Sequence, residues 1–161
     1  MQMLFQADIG KQSPDQVRAT FWKSVDEVPV EVRGFAEDLF RAAEAHQEQI
    51  DDLLTKNSKH WRLERMPAVD RNLLRMAVAE MLAVKSTPIP VVINEALEIA
   101  RRYSAPESIN FLNGILDAIA RSLLEKQGTG TKGKREQGTG TKGKREQGTG
   151  TRDQGIGPPE Q

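Results

Sequence analysis

The residue types that most often carry catalysis or hold metal ions are few and scattered in this sequence. It contains two histidines, His46 and His60, and no cysteine. A metal site needs ligands grouped in space, whereas a predicted helix end separates these two side chains. His46 falls on the apolar stripe of its helix, which favours a half-buried structural role, and His60 falls in a turn. Asp51 and Asp52 are adjacent on a helix and point apart, so they cannot readily share a proton.

Phosphate-binding and thiol chemistry are also missing from the sequence. The glycines of residues 1–127 are only Gly10, Gly34 and Gly114, too dispersed for a phosphate loop. The lack of cysteine excludes thiol nucleophiles and disulfides. These features predict a protein that is not an enzyme and that has no catalytic residues, no metal ligands and no cofactor.

Charged residues do interrupt one strongly apolar segment, "AVDRNLLRMAVAEML". Arg71 and Arg75 are four residues apart and share a helix face, with Asp70 and Glu80 on either side. This pattern predicts a solvated face with ion pairs along the helix, each contributing a few tenths of a kcal/mol. A second unusual segment is "SINFLNGILD", where Gly114 inside a helix costs about 1 kcal/mol relative to alanine. Close packing against a neighbouring helix or against a ligand could offset that cost.

The elements that carry these residues are all predicted to be helices. Apolar side chains recur every three or four positions through residues 1–127, and no alternating strand pattern competes. A helix is predicted to begin at Ser13, because a capping serine, a proline and an acidic first turn follow one another there. One long amphipathic helix is predicted from about Val30 to Thr55. The fold class is therefore all-α.

The second half of the helical region has clear breaks. The segment "KNSKHWRLERM" interrupts the periodicity, with Asn57 and Ser58 as turn formers and Trp61 as an anchor. The prolines of "STPIP" end the next helix. Ser104 and Glu107 have the spacing of a capping box ahead of the last helix.

Residues 128–161 differ from the rest of the chain. They hold ten of the thirteen glycines and contain two copies of "GTGTKGKREQ", without Leu, Val, Phe, Trp or Met. Such a composition cannot bury a core, so a folded domain is expected over 1–127 and a disordered basic tail over 128–161. The tail either attracts RNA weakly or has no function. No signal peptide or membrane-length apolar run is evident, so we expect a soluble cytoplasmic protein.

Three segments and the opening of the chain resemble the bacterial antitermination factor family NusB. They are "WRLERMPAVDRNLLRMAVAEM", "IPVVINEALEIARRY", "FLNGILD" and the opening "QMLFQADIG". The resemblance runs from Met1 to about Leu124. It implies a NusB-like helical domain of two antiparallel three-helix subdomains. It also implies a function without catalysis, in which the protein binds the boxA element of nascent ribosomal RNA together with NusE, a small-subunit ribosomal protein. This pair then joins the RNA polymerase antitermination complex.

The resemblance also assigns residues to these roles. Phe111 would stack on a base, with Glu107 and Asn110 beside it, because an aromatic ring at a helix start can read unstacked single-stranded bases. Phe111 could instead pack in the core beside its apolar neighbours. Phe5, Glu64 and Asp70 would bind NusE, a basic protein that suits carboxylates. The alternative for these carboxylates is a surface ion pair with Arg65 or Arg71.

One feature expected of the family lies outside this sequence. NusB proteins carry an arginine-rich stretch before the first helix, and phosphate contacts supply much of an RNA affinity. A start assigned too far downstream, a real loss, or replacement by the basic tail would each explain the difference. If the stretch is lost, the alternative function is a helical interaction module that binds NusE or self-associates as a homodimer without useful RNA affinity.

Overall fold

The computed structural model describes residues 1–58 and 61–129, and every regular element in them is helical. The prediction of an all-α fold is confirmed. The 128–161 tail, apart from the end of the last helix, and His60 lie outside the described residues. The helices are α1 (Gln2–Gly10), α2 (Pro14–Thr20), α3 (Val30–Ala45), α4 (Gln47–Asn57), α5 (Ala68–Ala83), α6 (Ile89–Tyr103) and α7 (Ser108–Thr129), with single 3₁₀ turns at Phe21–Lys23 and Leu63–Arg65.

Four helices begin directly after a residue that favours a helix start, a capping serine before α2 and a proline before α3, α5 and α6. At α2 the Ser13 hydroxyl accepts a hydrogen bond from the Gln16 backbone N–H, and the Gln16 side chain accepts one from the Ser13 backbone N–H. This reciprocal pair satisfies two backbone donors that the helix itself leaves unpaired. Pro29, Pro67 and Pro88 stand immediately before α3, α5 and α6.

The predicted single helix from Val30 to Thr55 is wrong, because the chain breaks at His46. His46 has φ −112° and ψ 17°, outside the helical range, although its backbone N–H still donates to Ala42 and its carbonyl still accepts from Ile50. The break lets α3 pack on α5 while α4 packs on both α5 and α7. His46 is exposed rather than half-buried. A rotation confined to one residue leaves the apolar spacing intact, so the sequence pattern does not reveal it.

The predicted capping box at Ser104 is also absent. Ser104 ends α6, donating its backbone N–H to Ala100, and its own backbone is extended. Ala105 precedes Pro106, and a residue before proline disfavours the helical region, so α7 cannot begin there. It begins at Ser108, whose N–H bonds to the Ala105 carbonyl across a turn.

Two apolar clusters hold the helices together. Met3, Val17 and Phe40 form the smaller one, from α1, α2 and α3. The larger one joins α4 to α7, with Leu39 and Ala43 contributed by α3. The two clusters correspond to the two helical subdomains that the resemblance implies. Because the chain breaks at His46, the second subdomain has four helices, α4 to α7, rather than three. Helix α5 contacts α1, α3, α4, α6 and α7, so it is the central element of the fold.

Candidate RNA and protein interface

Trp61 and Phe111 form an aromatic pair between the α4–α5 connection and the start of α7. Their ring centroids are 5.7 Å apart and the rings are tilted by 52°. Phe111 is half-buried against the larger apolar cluster, whereas Trp61 is 54% exposed. Phe111 therefore packs against the core, as the alternative interpretation expected, and its stacking on a base stays a prediction. Trp61 was expected only as an anchor, and its exposed ring is a candidate functional group that spacing alone does not identify.

The backbone of Trp61 is held in place by Ser58. Ser58 is buried, and its hydroxyl donates to the Trp61 carbonyl at 3.0 Å. The Trp61 backbone N–H donates to the Ser58 carbonyl at 2.8 Å. These two bonds hold the backbone of Trp61 in place while its ring stays accessible.

A cavity of about 190 Å³ opens beside the two rings, and we call it the aromatic pocket. Its lining combines the rings with apolar and acidic side chains, namely Trp61, Met66, Pro67, Asp70, Glu107, Ser108 and Phe111. Two of the expected RNA-binding residues, Glu107 and Phe111, thus lie together with Asp70, which was expected to contact a protein partner. Asn110 is exposed on α7, one residue before Phe111, and does not line the pocket.

Asp70 has an unusual environment for a carboxylate. Asp70 is only 2% exposed, and its Oδ1 atom has no hydrogen-bond partner among the described residues. The alternative of a surface ion pair with Arg65 or Arg71 is wrong, because Asp70 is buried and Arg71 binds Asp8 instead. A buried acceptor without a donor costs about 1–3 kcal/mol, and more if the group is charged.

A second cluster of charges joins α1 to α5, and we call it the Asp8 cluster (Asp8, Asp51, Arg71, Asn72, Arg75). Arg71 Nε and Nη2 lie 2.8 and 2.7 Å from Asp8 Oδ2, and Asn72 donates to the same oxygen at 2.8 Å. Arg75 reaches Asp8 at 3.6 Å and forms a bidentate pair with Asp51 on α4, at 2.8 and 2.9 Å.

The solvated face predicted for Arg71 and Arg75 is therefore wrong. Their side chains are 12% and 16% exposed, and their partners come from α1 and α4 rather than from α5. Sequence spacing along one helix cannot show a partner that lies 63 positions away. Burial alone would raise the pKa of Asp8, but hydrogen bonds from Asn72 and Arg71 and the charges of Arg71 and Arg75 lower it below its usual value.

The Asp8 cluster also positions the expected partner-binding residues. Phe5 is half-buried on α1, three residues before Asp8 and therefore on the same helix face. Arg71 Nη1 donates to the carbonyls of Met66 and Leu63, at 3.0 and 3.4 Å, on either side of the exposed Glu64. The arginine thereby fixes the turn that carries Glu64 relative to α1.

Two other residues singled out from the sequence have different environments from those expected. A Cβ added at Gly114 would meet nothing within 4 Å, so close helix packing does not explain this glycine. Glu80 is half-buried rather than solvated. Burial raises its pKa, a hydrogen bond with Thr87 lowers it, and the nearby charge of Glu95 raises it, with a net rise above the usual value.

In the described residues no group of three or more histidine, cysteine or carboxylate side chains is placed to hold a metal ion. No helix over those residues has the length and apolarity needed to cross a membrane.

Comparison with known proteins gives consistent matches over the helical domain. The family model described as "NusB family" matches residues 1–121. The transcription antitermination protein NusB of Koribacter versatilis is 58% identical over 123 residues, covering 76% of this chain and 84% of that protein.

Two solved structures show the same fold. T. maritima NusB is 37% identical, with a TM-score of 0.68 over 74% of this chain and 84% of that chain. A structure of antitermination factors NusB and NusE in complex with dsRNA contains a chain that is 26% identical, with a TM-score of 0.66 over 74% of this chain and 89% of that one. The resemblance inferred from the three segments is confirmed, and the protein belongs to the NusB family.

Proposed function

We propose that this protein is a transcription antitermination factor that binds boxA RNA of nascent ribosomal transcripts together with NusE. The observation that carries the proposal is the aromatic pocket, in which the exposed ring of Trp61 lies against Phe111 near the start of α7. A solved relative in complex with NusE and RNA supports the same two classes of partner. Such a factor would act in the cytoplasm as part of the RNA polymerase antitermination complex.

The RNA side of the proposal rests on stacking combined with charge. The exposed face of Trp61 and the adjoining Phe111 offer a surface on which an unstacked base can lie. Arg62 and Arg65 follow Trp61 by one and four residues in the sequence, both are exposed, and neither forms an ion pair with another described residue. These arginines are therefore available to bind phosphates, which are the main source of RNA affinity. Glu107 and Asn110 would contact the RNA at the edge of this surface.

The protein side rests on the acidic and aromatic surface near α1. Phe5 and Glu64 are tied to the same segment of α5 by the Asp8 cluster, and Asp70 directly precedes Arg71 on that segment. A carboxylate next to an aromatic anchor suits a basic ribosomal protein such as NusE. Since Asp70 is buried, we assign it to the floor of this region rather than to its rim.

A second function uses the same surface without RNA. The domain would then be an interaction module that binds NusE or forms a homodimer. Titrating the full 161-residue chain with labelled boxA RNA and with scrambled RNA, each with and without NusE, separates the two functions. Antitermination predicts a preference for boxA that increases when NusE is present. If the chain binds NusE but binds boxA RNA and scrambled RNA with equal affinity, the interaction module is favoured.

A further inference from the structure

An apolar groove of about 320 Å³ opens between the first turn of α1, the 3₁₀ turn at Phe21–Lys23 and α3. The described residues that line it have apolar or aromatic side chains, with the exception of Gln2. Val32 and Phe35 on α3 are about half exposed in this groove. Large apolar side chains that stand together in water mark a surface for a partner. We call this surface the α3 groove, and its lining includes Trp22, Val25, Val28, Val32 and Phe35.

The α3 groove continues an apolar stripe of α3 that the fold covers only at its other end. Leu39 and Phe40 in this stripe are 8% and 3% exposed. Phe35 lies one turn before Leu39 and Val32 lies two turns before it, so these side chains share one helix face. Apolar residues at this spacing, with water on one side, form the kind of groove that receives the apolar face of another helix.

Trp22 is held in position on the wall formed by the 3₁₀ turn. Its ring meets that of Phe21 edge-on, with centroids 5.0 Å apart, and the Arg33 guanidinium lies 5.1 Å from its ring centre. Arg33 is in turn paired with Glu37 at 3.1 Å. Because this wall is already ordered, little side-chain entropy is lost when a partner binds.

The edge of the α3 groove carries unpaired negative charge. Three carboxylates adjoin lining residues in the sequence, namely Asp26 after Val25, Glu27 before Val28 and Glu31 before Val32. Consecutive Cα atoms are about 3.8 Å apart, which places these residues at the edge of the groove. All three are exposed, and none forms an ion pair with another described residue. In the described segment 22–35, the only cation without an ion pair is Lys23, so the negative charge dominates.

We propose that the α3 groove docks a basic amphipathic helix of a partner protein, in an interaction separate from the proposed binding of RNA and NusE. Apolar side chains spaced three and four apart on that helix fill the groove, and its flanking lysines or arginines face the carboxylates at the edge. Phe5, Glu64 and Asp70, which we assign to NusE, do not line the α3 groove.

The charge at the edge argues against the other occupants. The carboxylates repel the phosphates of a nucleic acid, although Trp22 and Phe35 offer rings to its bases. An acidic helix is repelled in the same way. A second copy of this chain in a two-fold symmetric dimer brings the same patch against itself, and therefore opposes carboxylates to carboxylates.

The test follows the fluorescence of Trp22 in the full-length chain carrying Trp61→Phe, which removes the other tryptophan. The probes are two terminally blocked peptides with the same apolar face, LKKLLKKLLKKL and LEELLEELLEEL. We expect a blue shift that saturates with the lysine peptide at a concentration about tenfold or more below that of the glutamate peptide. Equal saturation by the two peptides, or a shift by oligouridine at the concentration of the lysine peptide, would overturn the proposal.

Two pairs of variants locate the interaction. Asp26→Asn combined with Glu27→Gln should reduce the preference for the lysine peptide to less than about threefold. The matched control combines Glu48→Gln with Asp52→Asn, removes two exposed carboxylates from α4, and should keep the full preference. Loss of the preference in the control, or its persistence in the groove variant, contradicts the assignment.

The apolar contact is tested at Phe35. Phe35→Ala, at a half-exposed position that the fold does not need, should weaken binding of the lysine peptide about tenfold, whereas Tyr103→Ala on α6 should leave it unchanged. Sedimentation of the wild-type chain tests the second copy, because a dimer that Phe35→Ala dissociates would contradict the docking of a basic helix. Loss of NusE binding in Phe35→Ala would contradict a separate interface.

Discussion

Arg71 Nη2 lies 2.7 Å from Asp8 Oδ2, an ion pair between α5 and α1 that connects the two helical groups. Because both side chains are less than a fifth exposed, the pair works in a medium that screens it weakly. The same arginine bonds the carbonyls of Leu63 and Met66. Its position thus determines both the orientation of α1, which carries Phe5, and the conformation of the turn that carries Glu64.

Asp8→Asn should lower the free energy of unfolding by about 2 kcal/mol, because it leaves Arg71 largely buried without its carboxylate. Urea denaturation followed by circular dichroism measures this change. The matched control is Asp52→Asn, which removes one partner of an exposed pair with Lys56 and should change stability by less than about 0.5 kcal/mol. Equal effects of the two substitutions would show that the Asp8 cluster does not stabilise the fold.

The pH dependence of stability should reflect the lowered pKa of Asp8. Burial opposes ionisation, but Asn72, Arg71 and Arg75 outweigh it, so the carboxylate stays ionised in the folded protein below the usual value of about 3.9. The stabilisation is complete above that unfolded-state value and is lost as the pH falls through the folded-state pKa. Unfolding measured from pH 7 to pH 3 should show wild type and Asp8→Asn converging in acid. A constant difference across this range would contradict the assignment.

The salt dependence of RNA binding should depend on Arg62 and Arg65. Removing one arginine–phosphate interaction reduces the slope of log K against log salt by about 0.7–1. Arg62→Ala and Arg65→Ala should therefore each weaken binding and flatten the slope by about that amount. Arg121→Ala is the control, since Arg121 is exposed ten residues beyond Phe111 on α7, about 15 Å along the helix. A similar change of slope in the control would contradict a specific role for Arg62 and Arg65.

Binding of NusE should depend on Phe5. Phe5→Ala removes an aromatic anchor and should weaken NusE binding by about tenfold or more, measured by calorimetry with the full chain. Phe35→Ala is a matched control because Phe35 is a half-exposed aromatic on α3. If the two variants bind NusE equally well, the partner surface is elsewhere.

The sequence predicts those features that depend on local spacing or on turn chemistry. The all-α class, the cap at Ser13, the helix end at Asn57 and the break at Pro88 follow from residues that contact their near neighbours. The break at His46 is missed because a change of two backbone angles leaves the apolar repeat unaltered.

The candidate site shows the same division between local and long-range features. The family resemblance points to Glu107 and Phe111, which are four residues apart and both line the aromatic pocket, and their contact with RNA stays a prediction. Neither the contact of Phe111 with Trp61 nor the burial of Asp70 follows from spacing, because each depends on how the α4–α5 connection packs against α7. Asp8 was similarly absent from the expected site residues, since its partners on α5 are more than sixty positions away.

The most direct test of the RNA-binding site is the affinity of Trp61→Ala for boxA RNA in the presence of NusE, measured by fluorescence anisotropy of the labelled RNA. Trp61 is 54% exposed, so its truncation should leave the fold intact, and Tyr103→Ala provides a control at a ring that is 60% exposed on α6. Removal of one stacked base costs about 1–3 kcal/mol. We predict about tenfold weaker boxA binding for Trp61→Ala, with wild-type affinity for Tyr103→Ala. Unchanged boxA affinity in Trp61→Ala would contradict the assignment of the aromatic pocket to RNA.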